Sequence, residues 1–411
     1  MHLEFSEPVL VSMGPKSREA GWGPHQFARL DRLTDGRIMC SFLLLRDIAE
    51  DIGSDQGGYV SEDNGKTWKA GYDVEYRHLT GEKLPDGDYI GWVEPAGLQV
   101  DEKETFDHPG FRVGHIEHKV VMHYPYGSLK PMEGWDDGYQ FYRIDGKTGE
   151  VKPYIARLDH PMLTYNVTNH WLMRLYPAIK HIRISPEGDV YLPHYESCMN
   201  PETGEFNPYY TNVLLKSEDG GKSFKAINYL VYDPEKYKAI DPRAHLREGW
   251  SENDICWAPD GKTMVKLIRT DGYYPRTKHC QYNSCYITHS TDGGYTWDEP
   301  TIFDDRGVMP ILHTMKCGVT LATYGRPGCF VRMSCDPEAR VWEDRIEIVH
   351  SDGTPNDNEN CVDVIATCAY SDFIDIDDHT VGFAYSDFTQ KDENGDMRKC
   401  IMYRTITVVE D

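Results

Sequence analysis

The sequence predicts an all-β fold of the propeller type, built from repeated four-stranded antiparallel units. An eight-residue turn pattern recurs along the chain, short apolar runs flank turns that contain Gly or Asp, and almost no segment has the apolar spacing of a helix. The length of 411 residues exceeds that of a usual domain. A closed ring of repeats accommodates this length because each unit packs on the next. We therefore expect residues 1–411 to form a single domain.

The recurring pattern is Ser-x-Asp-x-Gly-x-Thr-Trp. Residues 61–68 read Ser-Glu-Asp-Asn-Gly-Lys-Thr-Trp, residues 290–297 read Ser-Thr-Asp-Gly-Gly-Tyr-Thr-Trp, and residues 217–224 read Ser-Glu-Asp-Gly-Gly-Lys-Ser-Phe. A decayed copy begins at Ser334 and ends at Trp342. Ser and Asp side chains bond nearby backbone N–H groups, Gly adopts a positive φ, and the aromatic ring anchors the turn. Each copy therefore predicts a tight turn between two strands.

Paired apolar runs predict five hairpins. Their turns contain Asp35-Gly36, Glu187-Gly188, Asp260-Gly261, Cys317-Gly318 and Asp377-Asp378-His379. We expect a sixth unit within residues 75–150, with a strand at 115–124 and a turn at 145–149. Each unit has strands A to D, with the hairpin turn between A and B and the eight-residue turn between C and D. Both turns then lie on one face, and functional residues lie on the other, at the starts of A strands and the ends of B strands. Pairing near the two termini closes the ring.

Composition narrows the possible partners. The net charge of −24 argues against nucleic acid and anionic membrane surfaces as partners, and no apolar run approaches the ~20 residues of a membrane span. The 11 cysteines are scattered, without a Cys-x-x-Cys pair, and the first residues lack a secretion signal, so we expect a cytoplasmic protein with reduced thiols. His115 and His118 would face opposite sides of a strand, so we expect no metal at the group they form with Glu117. No cofactor is indicated, and the oligomeric state is left open.

Four residues stand where the predicted functional face lies. Glu252 precedes the Asp260-Gly261 turn, and Arg269 follows it at the end of the paired strand. Tyr370 opens a Tyr-Ser-Asp-Phe segment at another A strand, and Arg326 closes a B strand within Tyr-Gly-Arg-Pro-Gly. Together with the eight-residue turns, these segments make the chain resemble the sialidase superfamily of Asp-box glycosidases. The resemblance covers most of the chain and implies a six-bladed β-propeller of four-stranded blades, with Tyr370 as nucleophile, Glu252 as its catalytic glutamate, and Arg269 and Arg326 as carboxylate-binding residues.

These residue types suit a sugar that carries a carboxylate. A neutral tyrosine avoids the repulsion that a carboxylate nucleophile would meet, and a neighbouring glutamate can take its proton. Arginines bind a carboxylate bidentately and stay charged. The resemblance also implies an acid that protonates the leaving oxygen, in the loop between residues 46 and 57. Asp47, Asp51 and Asp55 all qualify, and we favour Asp51.

The chain departs from the family at the first A strand. The family's Phe-Arg-Ile-Pro segment supplies a further arginine, whereas His25 or Gln26 occupies that place here and Arg29 is displaced along the strand. This incomplete arginine triad leaves room for a related acidic sugar, or for a neutral sugar bound by His25 and Gln26.

The sequence thus predicts a retaining exo-glycosidase of sialidase type that removes a terminal, acidic, sialic-acid-like sugar from a small oligosaccharide or glycoside. Because one fold hosts many functions, two alternatives stay open. One is a non-catalytic glycan-binding propeller, and the other is a lyase or neutral-sugar glycosidase on the same fold.

Overall fold

The computed structural model describes residues 1–17, 19–20, 23–45, 56–71, 81–92, 97–113, 121–133, 135–175, 180–242, 244–272, 284–351 and 366–411. Helices in these ranges are short: Glu102–Thr105 and Pro234–Tyr237 are α-helical, and Ala244–Leu246 forms a 3-10 helix. All other regular structure described is β-strand, which confirms the all-β prediction. None of these helices has the length and apolar character needed to cross a membrane. The nine cysteines within the described ranges are all free.

Three sheets are meanders, that is, runs of four antiparallel strands paired in chain order. The first meander comprises Arg29–Arg32, Ile38–Leu43, Gln56–Ser61 and Lys69–Ala70; the fourth comprises Arg247–Trp257, Met264–Gly272, Cys285–Ser290 and Thr301–Asp304; the fifth comprises Val308–Thr314, Thr320–Gly325, Cys329–Ser334 and Ile346–Val349. Each matches the predicted order of strands A to D.

The sixth meander joins the two ends of the chain. Its strands Ser371–Asp375, Thr380–Asp387 and Arg398–Val409 are completed by His2–Phe5 and Val9–Lys16, which both pair with the last of them. His2 lies opposite Val409, and Val9 lies opposite Tyr403, in antiparallel register. The predicted pairing near the termini is therefore confirmed, with His2–Phe5 as an additional strand.

An eight-stranded sheet holds the second and third meanders edge to edge. The second comprises Glu82–Lys83, Tyr89–Trp92, Tyr139–Ile144 and Val151–Asp159; the third comprises Arg183–Ile184, Val190–Glu196, Thr211–Ser217 and Ser223–Leu230. Their last strands pair in parallel, with Arg157 opposite Ser223 and Asp159 opposite Lys225. The expectation of six separate four-stranded units is therefore confirmed only in part.

A further five-stranded sheet, here called the insert sheet, was not predicted. In spatial order it comprises Phe111–Val113, Val121–Pro125, Thr164–Thr168, Trp171–Leu172 and Leu98–Gln99. The strand expected at residues 115–124 was assigned to the sixth predicted unit, but Val121–Pro125 pairs with Thr164–Thr168 in the insert sheet; residues 114–120 lie outside the described ranges. An apolar alternation identifies a strand without identifying its partner, so the assignment was wrong. The turn predicted at 145–149 does join Tyr139–Ile144 to Val151–Asp159.

The eight-residue turns form as predicted between the third and fourth strands of their meanders. In the first meander, the Gly65 N–H donates to Ser61 Oγ at 2.8 Å, and the Thr67 N–H donates to Asp63 Oδ1 at 2.9 Å. The indole Nε1–H of Trp68 donates to the Gly65 carbonyl at 3.0 Å, which fixes the ring over the turn. The other two intact copies repeat these Ser and Asp bonds.

Buried charged groups join the first strands of different meanders. Asp254 accepts a hydrogen bond from the Leu312 N–H at 2.9 Å, which links the fourth meander to the fifth. Asp372 accepts from the Leu30 N–H at 2.8 Å, which links the sixth to the first. Lys180, just before the third meander, donates to the carbonyls of Ala28 at 2.6 Å and Ser371 at 2.5 Å. The first strands of the first, third and sixth meanders therefore lie close together.

Candidate active site

The predicted site residues lie at the strand ends farthest from the eight-residue turns. In the fourth meander, Ser290 of the turn pairs with Met264 at the start of the second strand, whereas Arg269 lies toward that strand's other end. Arg326 directly follows the second strand of the fifth meander, and Tyr370 directly precedes the first strand of the sixth. Strand pairing therefore brings side chains from three meanders to one face.

Tyr370 and Glu252 are in direct contact, although 118 positions separate them in the chain. The phenolic O–H of Tyr370 donates a short hydrogen bond to Glu252 Oε1. Each residue is only 8% exposed, so little water competes for this bond. The sequence placed the two residues on one face, and the structure brings them together.

The second carboxylate oxygen of Glu252 has two donors. Arg269 Nη1 lies 2.6 Å from Oε2, and the backbone N–H of Met309 donates to the same atom at 2.9 Å. Burial tends to raise the pKa of Glu252, but the charge of Arg269, the hydrogen bonds from Tyr370 and Arg269, and the charge of Arg326 together lower it. Glu252 is therefore ionised at neutral pH and accepts the tyrosine's proton in its hydrogen bond.

Tyr370 is held as a phenol. Burial and the negative charge of Glu252 raise its pKa well above the usual value, although the charges of Arg269 and Arg326 oppose this. The ring of Phe27 meets the Tyr370 ring edge-on, with 4.2 Å between ring centres. The Arg326 guanidinium carbon lies 5.7 Å from the centre of the same ring. These contacts fix the ring and direct its hydroxyl at Glu252.

Arg326 occupies a strained turn that aims its side chain at the segment before Tyr370. Its φ is 60°, a left-handed conformation that few residues with a Cβ adopt. The Arg326 N–H donates to the Gly328 carbonyl at 2.9 Å, and Nη2 donates to the Cys368 carbonyl at 3.0 Å. Backbone strain of this kind is often found at functional sites.

The structure does not connect His25 to this cluster. Its Nε2 lies 3.1 Å from Ser12 Oγ, and burial together with the charge of Lys399 lowers its pKa to about 4, so the ring is uncharged at neutral pH. Gln26 is fully buried, and neither amide atom forms a hydrogen bond within the described residues. Phe27 is the residue of this segment that contacts Tyr370.

Other candidates are not in the described part of the chain. Asp47, Asp51 and Asp55 lie outside it, so the choice of Asp51 as the acid stays a prediction. His115, Glu117 and His118 also lie outside it. Within the described ranges, no group of three or more His, Cys, Asp or Glu side chains is arranged to hold a metal ion.

Two parts of the site escape prediction because they are backbone groups, namely the N–H of Met309 and the carbonyl of Cys368. A third part of the site, Asp372, could have been predicted from its spacing. It lies two positions after Tyr370, and residues two apart on a strand face the same side. Asp372 is fully buried and lies 2.8 Å from His181 Nε2, so it supports the strand that begins beside Tyr370.

Comparison with known proteins supports the reading of the repeated turns. Residues 59–70 match the family model of the BNR/Asp-box repeat. A protein of unknown function from Dyadobacter fermentans is 17% identical in sequence; its crystal structure superposes with a TM-score of 0.61 over 99% of each chain. No match was found among curated proteins.

Glycosidases are among the other solved structures that match. A Hadza microbial sialidase is 15% identical, with a TM-score of 0.49 over 96% of this chain and 68% of that one. An α-L-arabinanase from Penicillium chrysogenum is 10% identical, with a TM-score of 0.46 over 97% of this chain and 98% of that one. The match at residues 59–70 confirms the resemblance to Asp-box repeats that the sequence indicated.

Proposed function

We propose that this protein is a retaining exo-glycosidase that removes a terminal acidic, sialic-acid-like sugar from small glycans. The observation that carries the proposal is the buried hydrogen bond from the Tyr370 hydroxyl to Glu252 Oε1. Sialidases are the exception among glycosidases that uses a tyrosine nucleophile in place of a carboxylate. A phenol needs a base at its proton to become a nucleophile at neutral pH, and Glu252 occupies that place.

In the proposed first step, the Tyr370 oxygen attacks the anomeric carbon while its proton passes to Glu252 and the bond to the leaving oxygen breaks. The raised pKa of Tyr370 and the lowered pKa of Glu252 keep the proton on the phenol until the new bond forms. Asp51, assigned by resemblance, gives the leaving oxygen its proton. Water then attacks the sugar and gives a proton to Asp51, while the phenolate takes its proton back from Glu252. Two displacements at the same carbon give retention.

The charges at the site favour one carboxylate on the substrate. Among the described residues of the cluster, Arg269 and Arg326 contribute two positive charges and Glu252 contributes one negative charge, so these three residues together have one positive charge in excess. Arg269 Nη1 lies 2.6 Å from Glu252 Oε2, and the Arg326 guanidinium carbon lies 5.7 Å from the centre of the Tyr370 ring. We therefore assign the carboxylate contact to the two arginines together. His25 is uncharged and adds no third cation.

We further propose that the meanders form the blades of a six-bladed propeller. In support, the first strands of the fourth and fifth, the fifth and sixth, and the sixth and first meanders are in contact. In such a ring these strands line the axis, so Glu252 and Tyr370, two blades apart, meet across its mouth. The insert sheet then lies outside the blade repeat.

The test is a screen of the full chain with 4-methylumbelliferyl glycosides of N-acetylneuraminic acid, glucuronic acid and arabinofuranose. We expect turnover of the first. Tyr370→Phe removes only the hydroxyl and should lower kcat by ~10³-fold or more, because the nucleophile and its base act as a unit. Tyr385→Phe is the matched control: Tyr385 is 3% exposed in the same meander, so its variant should keep wild-type kcat.

A 2,3-difluorinated sialic acid should label Tyr370, which peptide mass spectrometry would show. A label on an Asp or Glu would replace this mechanism with a two-carboxylate one. Turnover of the arabinofuranoside alone would point to a neutral-sugar glycosidase. If the chain turns over none of these glycosides and yet binds glycans, the non-catalytic alternative holds.

A further inference from the structure

A row of aromatic rings runs from the insert sheet to residues 197–210, which follow the second strand of the third meander. Phe111 and Phe206 stack with their ring centres 4.7 Å apart and their planes 1° from parallel. His108 lies 4.9 Å from Phe111, and His123 lies 5.5 Å from Phe206. His123 is buried, whereas the other three rings are half-buried. Parts of these three rings are therefore open to a ligand.

The row borders an open groove of about 820 Å³. Besides the rings, its lining includes Met199 and Pro208, and two exposed residues of opposite charge, Arg112 and Glu205. The volume falls in the range of small-ligand sites, about 300–1,000 Å³. An aromatic surface with a few polar groups beside it is the usual make-up of such sites.

The part of the groove formed by residues 197–210 lies at the same end of its meander as the Tyr370 cluster does in the other meanders. In the third meander, Ser217 of the eight-residue turn pairs with Val190, whereas Glu196 pairs with Thr211 at the opposite end. Residues 197–210 begin directly after Glu196, so they project from the end of the meander farthest from the turn. This is the end at which Arg269 and Arg326 lie in the fourth and fifth meanders.

Direct contacts connect the two regions. Asn253, the neighbour of Glu252, donates to the His194 carbonyl at 3.4 Å, and His194 lies in the strand that leads to residues 197–210. The Thr164 hydroxyl donates to the Ser197 carbonyl at 2.5 Å and lies 2.9 Å from Nδ1 of His123. The groove is thus built on the strands beside Glu252.

We propose that this groove binds a neutral sugar unit of the same glycan whose acidic terminal sugar meets Tyr370; the inference rests on the proposed function. A sugar ring has an apolar C–H face that packs on an aromatic ring, and edge hydroxyls that bond to charged groups. Phe111 and Phe206 cover each other's facing sides, so the parts of His108, Phe111 and Phe206 that stay open supply the apolar partner. Arg112 and Glu205 supply the charged partners. Because the charges of Arg112 and Glu205 cancel, these two residues give the groove no net charge that would select an acidic sugar.

The experiment compares two substrates that differ in length. Sialyllactose carries two neutral sugars beyond its acidic one, and 4-methylumbelliferyl N-acetylneuraminate carries none. Phe206→Ala should raise KM for sialyllactose about tenfold, the size of one lost stacking contact, and leave KM for the umbelliferyl substrate unchanged. Phe206→Trp should restore the wild-type value. Tyr295→Ala is the control, because Tyr295 is 49% exposed in an eight-residue turn on the other face.

A second measurement separates this inference from the proposed function. Tyr370→Phe protein, with and without Phe206→Ala, is applied to an array of sialylated and neutral glycans of two to six sugars. Binding that grows with length and is lost with Phe206→Ala supports the groove even if no glycoside is turned over. Equal effects of Phe206→Ala on both substrates, or binding that is independent of length, would overturn the groove and leave the proposed function intact.

Discussion

Two buried lysines should respond in opposite ways to replacement by methionine. Lys266 is fully buried, and its Nζ has no hydrogen-bond acceptor among the described residues; it lies 5.3 Å from the ring centre of Trp297. Burial lowers the pKa of Lys266 to about 7. Lys180 Nζ instead donates to two backbone carbonyls and lies 3.8 Å from Asp372 Oδ2. Burial lowers the pKa of Lys180 as well, but its charge has two carbonyl acceptors and a nearby carboxylate, whereas Lys266 has no acceptor among the described residues.

The pKa of Lys266 gives the size of the effect. A fall from about 10.4 in the unfolded chain to about 7 costs about 5 kcal/mol of folding free energy while the lysine is charged in both states. The variant also loses the contact between the lysine's charge and the Trp297 ring, which offsets about 2 kcal/mol of that gain. Lys266→Met should therefore stabilise the fold by about 3 kcal/mol at pH 6. Between about pH 7 and 10.4 the unfolded chain binds more protons, so wild-type stability rises with pH and the advantage of the variant disappears.

The assay is guanidinium unfolding followed by tryptophan fluorescence at pH 6 and pH 10. Lys180→Met, the matched control, should lose about 3 kcal/mol of stability at pH 6, because it removes a buried positive charge beside Asp372 and leaves the carbonyls of Ala28 and Ser371 without their donor. A Lys266→Met protein that is less stable than wild type at pH 6, or that keeps its full advantage at pH 10, would refute the reasoning.

Three further predictions concern the turns and the site. Asp63→Ala should destabilise the fold by about 1 kcal/mol at pH 7, because two hydrogen bonds from Thr67 are lost. The hydrogen bond from the Thr67 side chain lowers the pKa of Asp63 to about 2, so this loss of stability should vanish as the pH falls from 4 toward 2. Thermal unfolding measures it, with Glu62→Ala as the control. Arg326→Ala should raise KM for acidic glycosides at least tenfold and leave KM for neutral ones unchanged in steady-state kinetics. Asp51→Asn should slow the hydrolysis of natural glycosides far more than that of umbelliferyl glycosides, whose leaving group needs little protonation. Equal losses of rate on both kinds of substrate would show that Asp51 is not the acid.

The turns and strand ends could be predicted because their causes are local. Within residues 61–68, the Ser and Asp acceptors and the N–H donors are at most four positions apart, so the pattern alone fixes the fold of the turn. Counting residues outward from such turns also locates the strand ends that carry Glu252, Arg269 and Tyr370. Their meeting also depends on ring closure, which the repeats and the paired termini predict, and on six blades, which the resemblance implies.

The insert sheet and the parallel pair of strands in the eight-stranded sheet could not be predicted because their pairings are long-range. His123 lies opposite Asn166 and Arg157 lies opposite Ser223, and no turn signal connects either pair. Which strand takes which partner is decided by packing: Tyr165 and Val167 of the insert sheet share one apolar core with Phe141 of the second meander. A sequence shows that these residues are apolar without showing what they pack against.

Replacing Glu252 by Gln should separate catalysis from binding. The amide has the shape of the carboxylate but is a far weaker base, so kcat should fall about as much as in Tyr370→Phe. The double variant, with both Glu252→Gln and Tyr370→Phe, should have a kcat little lower than that of either single variant, because the two residues transfer one proton between them. Arg269 loses its carboxylate partner in Glu252→Gln, and the positive charge of the cluster rises, so KM for an acidic glycoside should fall. In Tyr370→Phe the ion pair stays and KM should not fall. Additive losses of kcat, or a KM that rises in Glu252→Gln, would show that the two residues do not form one catalytic unit.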